Sequence, residues 1–67
     1  MTISVNNQAT EVEAQTVLSN VVFQQIGENS RGIAVAINGQ VIPKDSWQET
    51  PVGENDDILI IKATQGG

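Results

Sequence analysis

The sequence predicts an α+β domain, one sheet with one helix lying across a face. Period-2 apolar alternation marks strands near both ends and in the middle of the chain. A single apolar stripe at helical spacing stands between the second strand and the third. Mixed strand and helix order within 67 residues leaves room for one small domain and nothing more.

The elements follow in chain order. Ile3 and Val5 alternate with Thr2 and Ser4, as in a strand with one buried face. Asn6-Asn7 is a turn, because Asn tolerates positive φ, and residues 9–12 return as a weaker strand. Thr16 is placed to cap a helix, although Ser19 stands where the capping box would need Glu or Gln. Val17, Leu18, Val21, Val22 and Ile26 form its apolar stripe, with Phe23 beside the stripe and partly exposed. Val17, Val21 and Val22 are β-branched and only fair helix formers, so the helix depends on packing more than on propensity. Gly27 is placed to end it in a left-handed cap.

Residues 28–32 read as a polar loop. Residues 33–37, Ile-Ala-Val-Ala-Ile, are the clearest strand, with branched side chains at odd positions and alanines at even ones. Asn38-Gly39 is the strongest short hairpin signal, since a type I′ turn needs φ > 0 at both central positions. Residues 40–42 return as a short strand that Pro43 ends, having no N–H for a ladder. Residues 44–52 read as irregular, broken again at Pro51 and carrying the single Trp, Trp47. A tight turn at residues 53–56 leads into the last strand, residues 57–62, so the domain spans 1–62. Residues 63–67 lack an apolar anchor and are expected to be a mobile tail.

Composition excludes much. The chain has no Cys and no His, so disulfides, zinc ligands of those types, thiol nucleophiles and His-based triads are all closed to it. No catalytic residue, bound cofactor or metal ligand is expected. Eight acidic against three basic side chains give a formal charge of −5, which argues against nucleic acid and anionic membranes and points to a basic partner surface. The longest wholly apolar run is residues 58–61, far short of a membrane span. Residues 1–5 resemble no secretion signal, and a cytoplasmic location is expected.

Two features invite function. Gly66-Gly67 reads either as an unanchored end or as an arm: without Cβ it threads a narrow channel, and its carboxylate stays open to another enzyme. In the last strand Ile58 and Ile60 share one face and Leu59 and Ile61 the other. A parallel strand covered on both faces would look the same. With only one helix available, however, Leu59 and Ile61 are expected to face solvent beside Ala34 and Ala36 as a docking patch. Residues 54–57 lack the ligand spacing of a calcium loop and read as a solvated turn. Trp47 reads as a lid over a small core rather than a ligand platform, and Lys44 and Lys62 as surface charge.

The run at residues 32–44, then Trp47, the turn at 53–56 and the end Ala-Thr-Gln-Gly-Gly closely resemble the ThiS family, the sulfur carrier proteins of thiamine biosynthesis. The resemblance covers essentially the whole chain, with Asn55 standing where relatives often have Gly. It implies a ubiquitin-like β-grasp fold, a mixed sheet wrapped around one helix with the first and last strands parallel. Ile3, Val5, Val35, Ile37, Ile42, Ile58 and Ile60 would then pack against Leu18, Val22 and Ile26. It also implies the chemistry. An E1-like adenylyltransferase of the ThiF type uses ATP to adenylate the Gly67 carboxylate, with Gln65 and Gly66 recognised in the tail. A persulfide donor supplies sulfur, and a thiazole synthase of the ThiG type consumes the thiocarboxylate. The carrier itself binds no cofactor and is expected to be a monomer when alone. The small subunit of molybdopterin synthase shares this chemistry but looks longer. A ubiquitin-like modifier and a purely structural interaction domain are the remaining alternatives.

Overall fold

The computed structural model describes residues 1–28 and 31–62. Five strands, one α-helix and one 3-10 helix follow in the order β1 (Thr2–Val5), β2 (Gln8–Glu11), α1 (Leu18–Ile26), β3 (Ile33–Ile37), β4 (Gln40–Ile42), the 3-10 helix (Lys44–Glu49) and β5 (Asp57–Lys62). The spatial order of the sheet is β2-β1-β5-β3-β4, with β1 and β5 parallel and the other pairings antiparallel. The strand that comes last in sequence therefore sits in the middle of the sheet.

Asparagines shape both hairpins. Asn6 and Asn7 take φ of 51° and 68°, and Val5 pairs with Gln8, so β2 begins one residue earlier than the sequence suggests. Asn38 and Gly39 take 50° and 86°, the pair of positive values that the type I′ turn requires. Asn6 has a second use: its Oδ1 accepts from Ile60 N–H at 2.8 Å, standing in for a carbonyl beyond the end of β1.

The helix start differs from expectation. Thr16 is not the cap; that position falls to Val17, extended at φ −114° and ψ 164°, with no side-chain cap bond. Tertiary structure replaces the missing hydroxyl. Val17 bridges Pro51, Leu18 N–H donates to Thr50 O at 2.8 Å and Val52 N–H donates to Thr16 O at 3.1 Å. The loop after the 3-10 helix thus satisfies an early N–H that a local cap would have taken. At the other end Gly27 sits at φ 75° and ψ −150°, not in the left-handed helical basin but in a region essentially closed to other residues. Its N–H still donates to Phe23 O at 2.7 Å.

The helix presents Leu18, Val21 and Val22 to Ile3, Val5, Val35 and Ile58 on the inner face of the sheet, all of them buried. Ile26, Ile37, Ile42 and Ile60, expected in the core, are partly buried at its margin. Val12, Trp47 and Val52 complete the core. Each fully buried aliphatic side chain contributes about 1.5–3 kcal/mol, so this short list carries most of the stability available to so small a domain. The segment read as irregular is a 3-10 helix started by Pro43, whose O accepts from Ser46 N–H at 2.8 Å. It holds Trp47 over the core, 5% exposed, with Nε1–H donating to Ile42 O at 2.9 Å.

Candidate functional site: the outer face of the sheet

Among the described residues, no second layer covers the face of the sheet opposite the helix. Register assigns its occupants: Ala34 lies opposite Ile61, Ala36 opposite both Leu59 and Val41, and Ser4 opposite Asp57. On β1 and β2, Ser4 pairs with Ala9 and Thr2 with Glu11. The face therefore divides. Its β5-β3-β4 half is apolar, and its β1-β2 half is largely polar, where Thr2 Oγ1 donates to Glu11 Oε1 at 2.7 Å.

Leu59 is 44% exposed, Ile61 50% and Val41 68%, so three large apolar side chains stand in solvent together on one face. Ala34 is exposed as expected. Ala36 corrects the expectation: it lies on this face but is only 9% exposed. Its methyl stands directly between Leu59 and Val41 in the two ladders, and both longer side chains shade it. Ala36 is thus a floor to the patch rather than part of its rim. The sequence reading missed Val41, and the signal was present. A two-residue turn at Asn38-Gly39 sets Ile37 against Gln40 and Ala36 against Val41, which puts Val41 on the face of the alanines.

β5 is clamped by side chains from both flanks. Asn6 bonds Ile60 N–H from the β1 side, and Asn38 Oδ1 accepts from Asp57 N–H at 2.9 Å from the β3 side. The turn before β5 uses its own acid as scaffold: Asp56 Oδ2 accepts from Gly53 N–H at 2.7 Å, and Asp56 Oδ1 accepts from Asn38 Nδ2 at 3.1 Å. Asn55 holds a φ of 69° there. One oxygen of the Asp56 carboxylate thus closes its own turn and the other ties that turn to the β3–β4 hairpin. Among the described residues no group of three or more His, Cys, Asp or Glu could hold a metal ion.

Lys44 and Lys62 are exposed. Lys62 ends β5 beside a notch of ≈ 290 Å³ lined with Asn6, Ile26, Ile33 and Ile60, at the root of the chain's last residues. Gln65, Gly66 and Gly67, the expected tail site, lie outside the described residues.

A single helix held in a mixed sheet whose first and last strands are parallel neighbours, with an apolar outer face on the last strand, defines a ubiquitin-like β-grasp protein. The sequence profile of the ThiS family matches residues 3–67, and the chain belongs to that family. It is 35% identical over 68 residues to the sulfur carrier protein ThiS of Escherichia coli (strain K12), covering 100% of both chains. Its fold is similar to the crystal structure of the thiamine biosynthesis protein ThiS from Geobacter metallireducens, with TM-score 0.84, 19% identity and 100% of both chains covered. The solution NMR structure of a thiamine biosynthesis protein from the same organism superposes at TM-score 0.79 and 19% identity, over 100% of this chain and 88% of the other.

Proposed function

We propose that this chain is a protein sulfur carrier of thiamine biosynthesis, acted on by partner enzymes and not itself an enzyme. The observation that carries the reading is one of continuity. The exposed apolar side chains Leu59 and Ile61 lie on β5, and β5 runs directly into the segment that ends Gln65-Gly66-Gly67. A partner seated on the outer face would hold the arm's root in a fixed place, and glycines without Cβ let the arm enter a narrow catalytic channel.

The chemistry assigned to the arm follows from what a carboxylate lacks. It is a poor electrophile until its oxygen becomes a leaving group. An E1-like adenylyltransferase of the ThiF type joins the Gly67 carboxylate to the AMP portion of ATP, releasing pyrophosphate. The terminal sulfur of a persulfide donor attacks the carbonyl and expels AMP. A thiol then takes up the donor in a disulfide, leaving the thiocarboxylate. A thiazole synthase of the ThiG type accepts that sulfur. The carrier holds no ATP and no metal of its own in this scheme, so a chain without Cys still carries sulfur, on its terminal carbonyl. Docking falls to Leu59, Ile61 and Ala34, with Ala36 as floor and Val41 added, and the −5 charge favours a partner with basic groups around an apolar centre. Among the described residues no helix is long and apolar enough to cross a membrane.

The direct test is the intact mass after incubation with the adenylating enzyme, ATP and a persulfide donor. The expected result is replacement of one terminal oxygen by sulfur, lost when Gly67 is deleted. An unchanged mass with an enzyme active on another carrier overturns the proposal.

A further inference from the structure

The turn between β3 and β4 takes no part in that chemistry, yet its side chain is heavily engaged. Asn38 is exposed, and its carboxamide makes two bonds: Oδ1 accepts from Asp57 N–H at 2.9 Å and Nδ2 donates to Asp56 Oδ1 at 3.1 Å. Its backbone N–H donates to Asp57 O at 2.8 Å. Together these bonds tie the turn to the start of β5. The residue that follows is Gly39, at φ 86°, and nothing lies within 4 Å of the place a Cβ would occupy there.

We propose that Asn38 is a site of spontaneous modification, deamidated through the backbone nitrogen of Gly39, and that the conversion loosens the start of β5. The Gly39 nitrogen attacks Asn38 Cγ. The N–Cγ bond forms, the Cγ–Nδ2 bond breaks, the Gly39 amide proton passes to solvent base and the leaving nitrogen departs as ammonia. A five-membered succinimide results. Water opens it at either carbonyl, giving Asp or β-linked isoaspartate. One water is taken up and one ammonia released, with no oxidant or reductant involved. The chain's other asparagines precede Asn, Gln, Val, Ser and Asp, each with a Cβ that hinders the attack. Only Asn38 precedes Gly.

The consequence follows from the bonds. As Asp, residue 38 loses the Nδ2 donor and sets a carboxylate oxygen against Asp56 Oδ1, where the amide had made a 3.1 Å hydrogen bond. Like charges at that separation repel, and the formal charge moves one unit further from −5. As isoaspartate, it adds an atom to a two-residue turn that sets the Ile37–Gln40 register. In the native state the same two side-chain bonds hold the carboxamide on Asp56 and Asp57, so the reaction waits on local opening of the turn.

The test ages the full chain at mildly alkaline pH, with and without urea, and maps the modified residue by mass spectrometry of peptides. Asn38 is expected to be the first asparagine to exchange NH2 for OH, about tenfold more slowly folded than in urea. Asn38→Asp is expected to lower Tm by roughly 4–8 °C, and by clearly less in an Asp56→Asn background, where the facing charge is gone. If Asn38→Asp does not fold, the aged and fractionated protein supplies the same melting comparison. First modification at another asparagine, equal rates with and without urea, or a Tm loss indifferent to Asp56→Asn overturns the proposal.

Discussion

Ile58 and Leu59 are neighbours on one strand, equally apolar, and have opposite environments. Ile58 is 0% exposed beneath the helix, whereas Leu59 is 44% exposed on the far face. Backbone pleat alone puts them there, because successive side chains on a strand point to opposite faces. The number of covering layers then decides what each does. One helix covers one face, so the same residue type is core at 58 and surface at 59. Apolar content therefore does not report burial in a domain this small; the count of available layers does.

The largest effect that tests this division is on the covered side. Ile58→Ala is expected to cost about 2–5 kcal/mol, because the site is closed by Leu18, Val5 and Val35 and cannot collapse around the missing atoms. Urea denaturation monitored by Trp47 fluorescence reads it, and a loss below about 1 kcal/mol would break the distinction between the faces. At the edge of the same core, Trp47→Phe keeps the aromatic packing but removes the Nε1–H bond to Ile42 O. It is expected to cost about 1–3 kcal/mol by leaving a part-buried carbonyl without its partner. A near-zero change would mean that water replaces the indole there.

How much of this division was legible follows from particular residues. Alternation placed β1, β3 and β5, and Asn38-Gly39 fixed a hairpin, because those signals are local and each needs only a few residues. Leu59 and Ile61 were legible as a surface only by counting layers, a global argument that one helix makes safe. Thr16 failed as a cap because the helix start is satisfied from Thr50, across more than thirty residues of sequence, and no local pattern announces that bond. The 3-10 helix carries no apolar repeat and is read through Pro43 and Trp47 alone, so it looked like loop. Val41 was a missed deduction rather than a missing signal, since the hairpin register already implied its face. The tail residues Gln65, Gly66 and Gly67 rest on sequence entirely, being outside the described residues.

On the uncovered side, stability and binding are expected to part company. Leu59→Asp should change stability by about 1 kcal/mol or less, while weakening the complex with the adenylating enzyme roughly thirtyfold, as loss of an exposed apolar anchor does. Val41→Asp is expected to act in the same direction more weakly, since β4 is the edge of the patch. Titration calorimetry beside urea melts separates the two quantities. Large destabilisation by Leu59→Asp would move that side chain into the core; unchanged binding would remove it from the interface.

The smallest effect lies on the polar half of the same face. Glu11→Gln removes a charge but keeps an acceptor for Thr2 Oγ1, an exposed bond. Stability is therefore expected to change by no more than about 0.5 kcal/mol. Its value is in the binding readout. If the footprint is confined to β5, β3 and β4, affinity holds within about twofold and its salt dependence is unchanged. If the partner instead spans the sheet and meets Glu11 with a basic group, the association rate falls and loses part of its salt sensitivity, with dissociation little altered, because rim charges act mainly on encounter. Stopped-flow association at two ionic strengths distinguishes the cases. The second outcome would extend the docking face across β1 to β2 and turn the contrast between apolar and polar halves into one between anchor and steering surface.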